Sequence, residues 1–220
     1  MSMTSKVTLS RQARPWLCAA ALLVAASHSQ AATADPAHDF LPTFGGSTAS
    51  ADLDVISASV TYNASTDTFV LSSTLDGPVG STATGLYVWG VNRGAGTAGF
   101  AANGLPGVLF DRVILLKADG TGSIGGVGSL PTGSVTVSGN TITGVVSGAS
   151  LPTTGFAKSD YTWNLWPRDT AFSGFAAISD FAPNNSNLPT TAVPEPSAQA
   201  LLLVGLAGLG LLGYQRRRTF

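Results

Sequence analysis

Between Asp35 and Val193 the chain holds no cysteine, no glutamate and a single histidine, His38. Each absence excludes something. Without cysteine there is no disulfide, no thiolate nucleophile and no cysteine metal site. With one histidine, placed near the start of this stretch, a serine–histidine–aspartate arrangement has no natural base. Charge is also scarce, at 10% of all 220 residues, and it is uneven in sign. The stretch carries five cations (Arg93, Arg112, Lys117, Lys158 and Arg168) against eleven aspartates, a balance near −6. Phosphate backbones would repel such a body, so no nucleic-acid partner is expected.

What remains is Gly, Ser, Thr, Val and Asp, a mixture that disfavours helices and suits strands joined by tight turns. In "DVISASVTYNASTDTFVLSSTLDGP", Ile56, Ala58, Val60 and Tyr62 alternate onto one face, Asn63 to Asp67 turn, and Phe69, Leu71 and Ser73 resume the alternation. "GLYVWGV" predicts a third strand, with Tyr87 and Trp89 on one face and Leu86 and Val88 on the other. "VLFDRVILLKADGTGSIGGV" predicts a strand, a turn at Asp119-Gly120 and a return near Ile124. "SVTVSGNTITGVV" predicts a hairpin turning at Ser138-Gly139-Asn140, "YTWNLW" a late strand and "GFAAISDFA" a last one. About eight short strands without an amphipathic helix predict an all-β domain over 35–183, an antiparallel β-sandwich that is jelly-roll-like. Residues 184–193, rich in Asn, Pro and Thr, are expected to be a flexible stalk.

The ends differ from the body. Residues 1–34 have three cations, an apolar run from Trp16 to Ala26 and small residues around Ala31 and Ala34. This is the pattern of a secretory signal peptide cut by signal peptidase after Ala31 or Ala34, which removes Cys18, the one cysteine. At the other end, Ser197 to Tyr214 is apolar except for Gln199 and is followed by Arg216, Arg217 and Arg218. At ~1.5 Å per residue this run just spans an inner membrane as a helix, with the arginines held on the cytoplasmic side. Pro194 and Pro196 keep the chain extended around Glu195 before that helix begins.

Val193-Pro194-Glu195-Pro196, the Gly- and Leu-rich run to Gly213, and Arg216-Arg217-Arg218 together resemble the PEP-CTERM sorting domain of Gram-negative bacteria. The resemblance covers the tail, 194–220, with Val193 at its edge. It implies recognition by an exosortase, a membrane-embedded cysteine transpeptidase, and an exported protein held in the inner membrane before it reaches the surface or the medium. Carriers of such tails often accompany exopolysaccharide loci, so a biofilm or exopolysaccharide setting is implied as well. It implies no activity for the body.

Within the body, the expectation is a protein that is not an enzyme and has no cofactor or metal. Eleven aspartates admit an acid–base pair for a hydrolase, but most flank turns. Asp52, Asp54 and Asp119 in "KADGTGSIGG" are oxygen donors of the type calcium takes, without the spacing of a helix–loop–helix site. Turn formation is the better reading for them. Tyr87, Trp89, Tyr161, Trp163 and Trp166 could present rings to a sugar, although core packing is the ordinary role of such residues in a sandwich. The glycine-rich stretch "GVNRGAGTAGFAANGLPG" is followed by no helix, which removes the phosphate-cradle reading and leaves a surface loop.

Overall fold

The computed structural model describes residues 32–193 and 205–207. Residues 1–31 of the stretch expected as a signal peptide (1–34), the Pro-Glu-Pro residues and the three arginines lie outside the described residues, while Thr33–Ala34 at the end of that stretch form a strand of the body. Among those described, no helix is long and apolar enough to cross a membrane. The three residues 205–207 within the tail are helical.

The body is built almost wholly of antiparallel strands. In chain order they are β1 (Thr33–Ala34), β2 (Val55–Asn63), β3 (Thr68–Leu75), β4 (Gly85–Asn92), β5 (Thr97–Phe100), β6 (Leu105–Phe110), β7 (Arg112–Leu116), β8 (Gly122–Ile124), β9 (Gly128–Ser129), β10 (Val135–Ser138), β11 (Thr141–Ser147), β12 (Thr162–Asp169), β13 (Leu188–Pro189) and β14 (Thr191–Ala192). The first sheet runs β1-β2-β3-β11-β10, with β14 added in parallel beside β2. The second runs β13-β12-β4-β7-β8-β9, and β5-β6 form a separate hairpin. The two sheets face each other across one core. Leu53, Val60, Phe69, Leu71 and Ile142 from the first side meet Tyr87, Trp89, Ile114, Tyr161 and Trp163 from the second, all at 0 or 1% exposure. Phe69 is the hinge of that contact. It stacks on Tyr161 at 5.5 Å and meets Trp163 edge-on at 5.2 Å.

Several expectations hold at the level of single turns. β2 and β3 are joined through Asn63, whose Oδ1 accepts the N–H groups of Ser65 and Thr66. Asp119 Oδ1 accepts from Thr121 at the β7–β8 turn, where Gly120 takes φ +82°. Gly139 at φ +58° turns β10 into β11.

Four expectations need correction. The chain crosses between the two large sheets only from β3 to β4, β9 to β10, β11 to β12 and β13 to β14, and otherwise runs on within one sheet or passes through the separate β5–β6 hairpin. It is therefore a two-sheet sandwich but not jelly-roll-like, a topology in which nearly every strand changes sheet. In β2 the register slips between Val55 and Ser57, a β-bulge that sends Val55 rather than Ile56 into the core. The stretch "GFAAISDFA" forms a 3-10 turn at Gly174–Ala177 and isolated bridges at Ile178 and Ala182, not a strand. Residues 184–193 are not a free stalk. β13 pairs with β12, β14 pairs with β2, and Val193 N–H donates to Tyr62 O at 2.8 Å. Asn187 explains part of that docking, since its amide donates to Leu109 O at 2.6 Å and accepts from Leu109 N–H at 3.2 Å. The folded body thus ends next to the Pro-Glu-Pro sequence itself.

Candidate functional site

The five aromatic residues considered for sugar binding are all buried. Tyr87, Trp89, Tyr161 and Trp163 are 0% exposed in the core between the sheets, and Trp166 is 3% exposed. Strand alternation explains the split. Trp163 and Leu165 point inward, while Trp166, at the opposite parity of β12, joins a second apolar cluster on the outer face of the second sheet. Tyr161 O–H donates to Leu151 O at 3.0 Å and Trp163 Nε1 to Thr190 Oγ1 at 2.8 Å, so their polar ends serve the fold. The four inward rings offer no open face on which a sugar could stack.

Trp166 differs in its surroundings. It lies under the β5–β6 hairpin, against Phe100 at 5.2 Å and Phe110 at 5.0 Å, and it borders a cavity of about 470 Å³. Leu86, Val88, Phe172 and Arg168 complete much of the lining. The glycine-rich stretch expected as a surface loop is this hairpin, and it acts as a cover. Gly90 allows the close fit, because a Cβ there would collide with the Trp166 ring.

In a second constellation only Asp54 was named in the sequence as an oxygen donor, and it serves no local turn, since its Oδ2 accepts from His38 sixteen residues away. Asp35 follows β1, Asp39 lies in the segment after it, Asp54 and Asp76 sit at the ends of β2 and β3, and Asp180 lies beside the bridge of Ala182 to β12. Ligand atoms of Asp35, Asp39 and Asp180 all lie within 4.8 Å of one another, as do those of His38, Asp54 and Asp76. The groups form one acidic patch, because the charges of both Asp39 and Asp54 act on Asp35. Burial first, and then those neighbouring carboxylates, push the Asp35 carboxyl up to about 7. Burial likewise pushes Asp180 up to about 8, against the opposing effect of the Val55 N–H. Asp54 is raised by burial too, with the His38 N–H working against it.

Parts of the cluster are rigidly held. Asp180 Oδ2 accepts from Val55 N–H at 3.0 Å and its Oδ1 from Phe181 N–H at 2.6 Å. Asp54 Oδ2 accepts from His38 N–H at 2.6 Å, with His38 in the left-handed region at φ +64°. His38 is thus fixed by its backbone while its imidazole remains exposed. The other candidate oxygen donors are spent within the fold, Asp52 on a contact with the segment before β4 and Asp119 on its own turn. Asp52 accepts from Thr82 N–H at 2.8 Å and Thr82 Oγ1 at 2.7 Å, and Asp119 accepts from Thr121.

Residues 192–218 match the PEP-CTERM protein-sorting motif. The chain is therefore an exported protein with a C-terminal membrane-anchor sorting signal, and an exosortase is its processing partner. The match takes in Val193, Pro194, Glu195, Pro196, Arg216, Arg217 and Arg218, the residues singled out in the sequence. No curated protein matches the chain. No solved structure matches it either.

Proposed function

We propose that this is a non-enzymatic surface or extracellular-matrix protein whose β-sandwich is the cargo and whose tail is the address. Signal peptidase removes the leader, the body folds in the periplasm, and residues 197–214 hold it in the inner membrane until the exosortase acts near Pro194-Glu195-Pro196. The observation that carries this reading is the abutment of fold and signal. The last strand, β14, ends at Ala192 and the sorting motif spans 192–218. Cutting at the Pro-Glu-Pro sequence would then release a complete sandwich with no unfolded remnant. Cleavage after Ala31 also suits the fold, since it preserves β1, whose Thr33 and Ala34 pair with Ala58 and Ser57.

The acidic patch does not favour hydrolysis. A retaining glycosidase sets its carboxyl groups ~5–5.5 Å apart and an inverting one ~6.5–9.5 Å apart across an open cleft. Here the oxygens lie closer and two of the groups are pinned by backbone N–H donors. An exopolysaccharide partner, with a place in a biofilm, is supported by the company such tails keep and, on the body, by the Trp166 cavity alone. Adding the host's polysaccharide should then shift tryptophan fluorescence, and an unchanged spectrum would remove that partner.

The tail is tested by replacing Pro194, Glu195 and Pro196 together with alanine. The account expects this variant to stay in the membrane fraction with Arg216 to Arg218 attached. Release into the medium at the wild-type level would contradict it.

A further inference from the structure

We propose that Asp35, Asp39 and Asp180 form a binding site for a calcium-class divalent cation, with the His38–Asp54–Asp76 set adjoining it. The inference concerns the body and stands independently of the sorting reading. Its basis is a set of oxygens that the protein itself leaves without partners. Asp54 is 0% exposed, and its Oδ1 makes no hydrogen bond. Asp35 Oδ2 and Asp39 Oδ1 are equally buried as atoms and equally alone. A buried carboxylate oxygen without a donor is costly, and two in one set, with Asp54 Oδ1 in the set beside it, need a shared cation or shared protons. Among the described residues, no lysine or arginine forms an ion pair with any member, and the exposed His38 is the sole basic group near them, 3.5 Å from Asp54 and 3.7 Å from Asp76.

The donor chemistry selects the ion. Carboxylate oxygens from loops and strand ends, with no sulfur and one exposed imidazole, suit a hard cation that accepts six to eight oxygens in flexible geometry. The backbone contacts to Asp180 orient its carboxylate and leave lone pairs for a metal. The location also gives the ion a task. Asp35 and Asp39 come from the arm before β2, Asp54 and Asp76 from the β2–β3 pair, and Asp180 from the segment bridged to β12. A cation held by Asp35, Asp39 and Asp180 would tie the amino-terminal arm to the segment bridged to β12 in a body that has no disulfide. Extracellular calcium modules bind at about 10⁻⁴–10⁻³ M, which fits an exported protein.

The test is the melting temperature of the full-length protein, stripped with a chelator and then given calcium chloride, with magnesium chloride as the comparison. Calcium at ~100 times its Kd should raise Tm by about 5–10 °C, with magnesium doing much less. Asp39→Asn and Asp35→Asn, made separately, should each weaken calcium binding at least tenfold, while Asp119→Asn should respond as wild type. No calcium-dependent rise in the wild-type protein would overturn the proposal. So would an undiminished rise in the Asp39→Asn and Asp35→Asn proteins, because the ion would then sit elsewhere. A higher ion-free Tm in those variants, with no calcium response in any protein, would mean that protons occupy the patch.

Discussion

The two sheets share a core but present different outer faces. The first has a hydroxylated outer face, half-buried on β3 and at Thr141 and Thr143 of β11 and buried at Ser59 and Thr61 of β2. Rows of Ser57, Thr74 and Thr141, and of Ser59, Ser72 and Thr143, run across its strands, with Thr74 and Thr141 hydroxyls 3.3 Å apart. The second sheet has its outer face covered by the β5–β6 hairpin and by Phe175, Ile178 and Phe181, so it is packed on both sides. The difference is written in the strands. β3 alternates buried and half-buried residues without a break, whereas β4 is buried from Tyr87 through Asn92. A sheet with one wet face needs alternation, while a sheet covered on both faces needs apolar residues throughout.

The comparison can be broken at graded cost. Trp163→Ala removes the ring shared by both sheets and should cost about 3–5 kcal/mol in a denaturant titration, unfolding both sheets in one transition. Phe100→Ala strips the cover only. Its half-buried ring touches Phe110, Trp166, Phe175 and Phe181, and its loss should cost about 2 kcal/mol. Hydrogen exchange should then quicken in β5 and β6 while β2, β3 and β11 stay protected. Gly90→Ala forces a methyl group into the Trp166 ring and should cost about 1–3 kcal/mol, again read in the cover. Thr143→Ala on the hydroxylated face should change stability by less than about 0.5 kcal/mol. A Thr143→Ala cost equal to that of Phe100→Ala would show that the first sheet's outer face is not free.

The seam between the sheets has its own signature in pH. Asp35 and Asp180 are raised to about 7 and about 8, so their neutral forms are favoured in the folded state. Groups of this sign give stability that is present below about pH 4 and lost as pH climbs towards 8. Asp39, Asp54, Asp76 and His38 face them, and Val55 N–H and Phe181 N–H oppose the trend at Asp180. Asp67 and Asp111 act in the reverse sense. Lys158 holds the first carboxylate low, while Arg93, Thr154 and backbone donors overcome burial at the second, so their contribution is lost as pH falls through the carboxylate range. In chelator the melting temperature should therefore peak in the mildly acidic range and decline to pH 8. A flat profile across pH 5–8 would remove the strain assigned to the patch.

The hairpins were legible because alternation and turn residues are local signals. Phe69, Leu71 and Ser73 show a period of two that no other structure explains, and Gly139 and Gly120 stand where left-handed turns fall. The second cluster was less legible, because nothing in the glycine-rich stretch says that Phe100 and Phe110 fold back on Trp166. The bulge at Ile56 and the docking of 184–193 depend on partners remote in the chain. The acidic patch was hidden for the same reason, since Asp35 and Asp180 come from opposite ends of the body. One hint was present: Asp180 interrupts the apolar run Ile178 to Ala182, and a charge placed there needs a partner. The sorting tail was the most legible feature of all, because its Pro-Glu-Pro, apolar and arginine parts are contiguous.

The central claim is that the sandwich is a cargo delimited by two processing events. The direct measurement is the intact mass, with terminal peptides, of the protein recovered from outside the native cell. The account predicts a species that begins at Ala32 and ends between Val193 and Pro196. A species that retains Arg216 to Arg218 and stays in the membrane fraction would contradict it.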